Sequence, residues 1–78
     1  MGNTILLSQL KIGEKARVTN IHTVGVMRRR LRDIGIIRGT LIECVLKSPS
    51  GNPAAYKIRD SVIALRSEDS CQIDVECQ

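Results

Sequence analysis

Among the residues able to do chemistry, the chain offers one histidine, His22, and three cysteines, Cys44, Cys71 and Cys77. No serine or cysteine lies near His22 in the order a nucleophile motif requires. Gly2, Gly13, Gly25, Gly35, Gly39 and Gly51 are scattered as turn residues and form no phosphate-cradling loop. The chain therefore reads as a non-enzyme. His22 and the cysteines are also the candidate soft metal ligands, yet no CxxC, HxxxH or carboxylate cluster sets them at ligand spacing. The expectation is that no tight iron or zinc site exists and that no cofactor is needed. Cys44 and Cys71 fit core positions on strands, where cysteine acts as a small hydrophobe. Cys77 falls near the chain end as an exposed thiol. Cys71 and Cys77 cannot pair within one strand, because six strand residues span roughly 20 Å and a disulfide needs Cα atoms within about 7 Å.

The second chemical signal is charge. Arg28, Arg29, Arg30, Arg32 and Arg38 fall within eleven residues, with Asp33 alone among them, and the net charge is +4. After Arg66 come Glu68, Asp69, Asp74 and Glu76 with no further base. A basic segment beside an acidic one suits an acidic protein surface or nucleic acid. It equally suits a solvated helix face beside an acidic edge strand. Base stacking needs aromatic platforms, and Tyr56 is the sole aromatic residue. Peptide capture of the PxxP kind needs an aromatic groove and is disfavoured for the same reason.

These groups must be carried by elements that the patterning defines. Seventy-eight residues allow one domain, 1–78, with an aliphatic core. No apolar run reaches the ~20 residues that cross a bilayer, and the N-terminus lacks a signal-peptide pattern. The cytoplasm is the default location. Ile5 to Leu10 is an apolar stretch in which Ser8 caps a short turn and Leu7 and Leu10 point inward. Glu14 to Ile21 alternates as a strand with Ala16 and Val18 inside. From Val24 the period changes: Val24, Met27, Leu31 and Ile34 share one helical face, the arginines occupy the rest, and Arg29 and Asp33 sit four apart as a weak pair. Gly35 ends the helix.

Thr40 to Lys47 is the strongest strand, with Ile42, Cys44 and Leu46 on one face. Ser48 to Pro53 is a loop. Ala54 to Arg59 returns with Ala54, Tyr56 and Ile58 inward, and Val62 to Arg66 is the next strand. Ser67 to Ser70 suits one helical turn, and Cys71 to Cys77 alternates as the closing strand. Five short strands, one helix after the first and one turn before the last indicate an all-β fold: a small SH3-like barrel of about five strands with one short α-helix after the first strand.

Four segments in this order resemble the ferrous iron transport protein A family, FeoA. They are Leu7-Ser8-Gln9-Leu10-Lys11-Ile12-Gly13-Glu14, then Arg28-Arg29-Arg30-Leu31-Arg32-Asp33-Ile34-Gly35, then Arg38-Gly39-Thr40, and Ile63-Ala64-Leu65-Arg66. The resemblance runs from Leu7 to Glu76. It implies the SH3-like fold in its stand-alone form and a cytosolic partner for FeoB, a membrane ferrous-iron transporter with a cytosolic G domain. The family commonly has proline before the turn glycine, where this chain has Arg38.

The expected function is that of a small cytosolic accessory protein of ferrous iron uptake. It would bind the FeoB transporter without entering the membrane, through Arg28, Arg29, Arg32, Ile36 and Arg38. Ile36 and Ile37 are adjacent, so one of them faces outward as an apolar contact. The alternative is a small barrel binding nucleic acid through Arg28 to Arg32.

Overall fold

The computed structural model describes residues 4–50 and 52–77. Six strands form one antiparallel sheet: β1 (Thr4–Leu6), β2 (Lys15–Ile21), β3 (Leu41–Lys47), β4 (Ala54–Ile58), β5 (Ser61–Leu65) and β6 (Ile73–Cys77). Their spatial order is β1-β6-β2-β3-β4-β5. A 3₁₀ turn, Leu7–Gln9, comes directly after β1. The main helix α1 (Gly25–Ile34) lies between β2 and β3, and the single-turn α2 (Ser67–Ser70) lies between β5 and β6. Ile73 and Val75 of β6 share one buried cluster with Tyr56, Ile58 and Leu65 of β4 and β5. Strands from opposite halves of the sheet therefore meet over a common core, which requires the sheet to curl over on itself.

The all-β class with a single principal helix is as the sequence indicates. The strand count is not: β1 is a sixth strand, so α1 comes after the second strand. Three residues are too few to show alternation. Only pairing with β6 (Thr4↔Glu76, Ile5↔Val75, Leu6↔Asp74) makes this segment a strand. Ser8 does not cap the turn after it. The Gln9 side chain does so instead, its Oε1 accepting the Leu6 N–H at 2.9 Å. Leu7 and Leu10 are fully buried, as their spacing indicates.

Several side chains depart from the simple periodicities, each for a local reason. Alternation places Leu46 beside Ile42 and Cys44 in the core, but it is 62% exposed. The β3–β4 register shifts between Cys44 and Leu46, and an extra residue at such a bulge sends the next side chains to the opposite face. Helical spacing places Val24 on the apolar stripe of α1, but it is 78% exposed. It precedes the helix with extended angles, φ −130° and ψ 166°, so it is out of phase with Met27, Leu31 and Ile34. Cys71 is not on the closing strand. It sits at the end of α2 in right-handed helical conformation, its thiol directed at the Glu68 carbonyl oxygen, 3.4 Å away. Cys77 is half-buried against the core rather than exposed. Gly51 of the predicted Ser48–Pro53 loop lies outside the described residues.

The β4–β5 hairpin closes through Arg59 and Asp60, with Ile58 opposite Ser61. Arg59 has φ 55°, as the first central residue of a two-residue hairpin loop requires, and glycine is favoured there. An L-residue in this region carries strain of about 1–2 kcal/mol. Arg59→Gly is therefore expected to stabilise the protein by about 0.5–1 kcal/mol after the entropic cost of glycine. That corresponds to a melting temperature higher by about 2–8 °C in a domain of this size. A calorimetric scan showing no rise would mean that the Arg59 side chain contributes stabilising contacts equal to the strain.

Candidate partner-binding surface

The arginine cluster is built on α1 and the turn that comes after it. Helix α1 has one fully buried residue, Leu31, with Met27 and Ile34 half-buried beside it. Arg28, Arg29, Arg30 and Arg32 all remain exposed. Their placement does little for the helix itself. No acid stands in the first turn and no side chain caps Val24, so Arg28 lies near the positive end of the helix dipole, where cations are unfavourable by a few tenths of a kcal/mol. Arg29 and Asp33, expected to pair, do not form an ion pair. Among the described residues the single contact between a basic and an acidic side chain is the hydrogen bond between His22 Nε2 and Asp74 Oδ2, 2.8 Å long.

The helix ends in a hydrogen-bonded motif that fixes the direction in which the chain leaves it. Gly35 adopts φ 113°, a left-handed conformation that favours glycine. Its N–H donates to the Arg32 and Leu31 carbonyls, at 3.0 and 3.1 Å, and the Ile36 N–H reaches back to the Leu31 carbonyl at 2.8 Å. This is a Schellman-type closure, in which the residue after the glycine packs on the last apolar turn of the helix. Ile36 is accordingly 0% exposed, as is Leu31. Ile36 is thus a core residue and not the outward contact expected of it from sequence. Ile37, 44% exposed, takes the outward position.

The turn from Gly35 to Thr40 is tied down on both sides. The buried Thr40 hydroxyl donates to the Gly35 carbonyl at 2.9 Å and accepts the Ile37 N–H at 3.1 Å. Gly39 N–H donates to the Val18 carbonyl at 2.7 Å. Arg38 Nε donates to the Thr19 carbonyl at 3.1 Å, which lays its guanidinium along β2. Arg28, Arg32, Arg38 and Ile37 consequently border one depression of about 250 Å³, completed by Asn20 and Ile21 of β2 and backed by the buried Ile36. Arg29, also expected in the interface from sequence, does not line it. Asn20 and Ile21 are the contributors that sequence reasoning missed, and Ile37 is the one of the two adjacent isoleucines that takes the outward place. The closing motif at Gly35 was the available signal for Ile37, since it dictates which of the two isoleucines turns inward.

The other candidate groups are dispersed. Cys44 lies at the centre of β3 with no exposed surface. Burial pushes its thiol up, so it stays protonated at neutral pH and is a poor nucleophile. Tyr56 is 1% exposed. Burial also raises its phenol, with the Ser70 hydroxyl drawing it partly back. A tyrosine so placed offers no base-stacking platform. Among the described residues no three His, Cys, Asp or Glu side chains gather as a metal cluster. The acids after Arg66 do not form one patch: Glu68 and Asp69 are on α2, Asp74 binds His22, and Glu76 of β6 stands directly opposite Arg17 of β2. Among the described residues no helix is long and apolar enough to cross a membrane.

Comparison with known proteins gives this geometry a family. Residues 5–77 match the FeoA domain. An Fe(2+) transport protein A/Fe(2+) transporter FeoB fusion protein of Porphyromonas gingivalis is 36% identical over 70 residues, covering 90% of this chain, which spans 8% of that protein. The solution structure of a FeoA-like protein from Clostridium acetobutylicum superposes with a TM-score of 0.86 at 35% identity, covering 99% of this chain and 90% of that one. Stenotrophomonas maltophilia FeoA, crystallised with zinc and described as a procaryotic SH3 domain protein, superposes with a TM-score of 0.80 at 27% identity, covering 91% and 88% of the two chains. The curled six-stranded sheet is thus an SH3-like barrel, and the chain belongs to the FeoA family.

Proposed function

We propose that this chain is a cytosolic accessory protein of ferrous iron uptake. It docks onto the cytosolic domain of a FeoB-type transporter through α1 and the turn after it, and modulates the transporter by contact alone. The observation that carries this reading is the convergence of Arg28, Arg32 and Arg38 around the exposed Ile37, with no carboxylate paired to them among the described residues. Arginine is enriched at interfaces because its planar fork pairs with carboxylates, and an apolar centre inside a charged rim is the usual interface arrangement. Family membership and the fusion of the two proteins in P. gingivalis support the choice of partner.

The test is titration of the purified transporter cytosolic domain at low and physiological salt. Binding should weaken as salt rises, because a steered encounter between complementary charges is screened. Reversal of Arg28, Arg29 and Arg32 to glutamate should weaken binding about a hundredfold while leaving the melting temperature nearly unchanged, since all three are exposed. The same variant is to be titrated against RNA and DNA. If transporter binding survives and nucleic-acid binding at physiological salt is lost, the arginines serve nucleic acid. If neither changes, they are a solvated face and the interface lies elsewhere.

A further inference from the structure

β5 is an edge of the sheet, paired to β4 on one side and, among the described residues, to no strand on the other. Its five residues, Ser61, Val62, Ile63, Ala64 and Leu65, include no charge and no proline. Those are the devices by which exposed edges are ordinarily protected from pairing with another chain. The two-residue loop sets Ser61 opposite Ile58, Ile63 opposite Tyr56 and Leu65 opposite Ala54. In such a hairpin these three pairs exchange the ladder hydrogen bonds. The N–H and C=O groups of Val62 and Ala64 therefore point away from β4, and they take no partner among the described residues.

What faces this edge is not solvent alone. A groove of about 420 Å³ separates β5 from α1. Met27, Leu31 and Ile34 of the helix and Ile63 and Leu65 of the strand give it apolar walls. Arg30 and Arg66, both exposed, stand at its rim, with Asp69 half-buried beside them. Neither arginine has an ion-pair partner among the described residues.

We infer that this groove receives an extended segment of a partner chain that adds a strand to β5. The free groups of Val62 and Ala64 supply the backbone hydrogen bonds. Alternate side chains of an added strand point to opposite faces, so one set enters the apolar groove and the other meets Arg30 and Arg66. The ligand is thus a short extended peptide alternating aliphatic residues with carboxylates, the mode of recognition known as strand addition. This surface is separate from the depression around Arg28, Arg32 and Arg38, and the inference does not depend on the partner assigned to that site.

The probe is a capped seven-residue peptide alternating valine and glutamate, titrated into the isotope-labelled protein. Amide shifts should concentrate at residues 61–66 and along α1, and the Val62 and Ala64 amides should gain protection from hydrogen exchange. Ala64→Pro removes an N–H that points outward, so the variant should still fold and bind about tenfold more weakly. The same peptide N-methylated at the residues that pair with β5 should lose binding with the protein unchanged, which keeps the test decisive should the proline variant unfold. Shifts confined to other strands, unchanged affinity of the N-methylated peptide, or unchanged affinity of a folded Ala64→Pro variant would overturn the inference. Sedimentation as a dimer that Ala64→Pro dissociates would overturn it too, by making a second copy of this chain the occupant.

Discussion

Leu31→Asp is expected to leave the protein largely unfolded at 25 °C. Leu31 has no exposed surface and is the one fully buried residue of α1. Removing its side chain alone would cost about 2–5 kcal/mol by analogy with other core leucines. An aspartate there adds the cost of burying a carboxylate that has nothing to pair with, or of protonating it. A domain of this length has a total stability of about 4–12 kcal/mol, so the two terms consume most or all of it. Leu31→Met keeps volume and polarity and should cost about 1 kcal/mol or less. Urea melts of the two variants separate the alternatives. A Leu31→Asp protein melting within a degree or two of the parent would mean that α1 packs on the sheet through a different face.

That prediction could be made from sequence because the stripe from Met27 to Ile34 is long enough to show its period. The same holds for Ala16 and Val18, for Ala54, Tyr56 and Ile58, and for the helix end at Gly35. What the sequence hid was set by pairing rather than by local pattern. β1 is three residues long and exists because β6 lies beside it. Leu46 reads as core by alternation, and only the register shift after Cys44 turns it outward. Val24 fits the helical stripe by spacing but precedes the helix with extended backbone angles.

The candidate site was legible to a similar degree. Local charge density marked Arg28 and Arg32, and the turn signal at Gly39 marked Arg38. Arg29 shares their charge but not their position around the depression. Arg30, from the same run, faces the groove beside β5. No property of an arginine run distinguishes these directions until the helix is docked, because the phase of the helix is fixed by Leu31 and not by the charges.

The pair Ile36 and Ile37 gives the sharpest test of that docking. Ile36→Asp is expected to destabilise the fold by several kcal/mol, for it places a carboxylate in the core against Leu31. It also disrupts the apolar contact that accompanies the Schellman closure at Gly35. Ile37→Asp, one residue further on, should leave the melting temperature within a few degrees of the parent. Its side chain is 44% exposed, and a carboxylate there enters a ring of three arginines that lacks one. The consequence for binding runs the other way. The new carboxylate removes the apolar centre of the depression and neutralises part of its charge, so affinity for the transporter domain should fall by about tenfold or more. An apolar residue in the core and an apolar residue in an interface are thus told apart by two measurements on adjacent positions. If Ile36→Asp folds normally and loses transporter binding while Ile37→Asp is silent in both assays, the chain leaves α1 with the opposite isoleucine outward. The depression between α1 and β2 would then have to be rebuilt around Ile36.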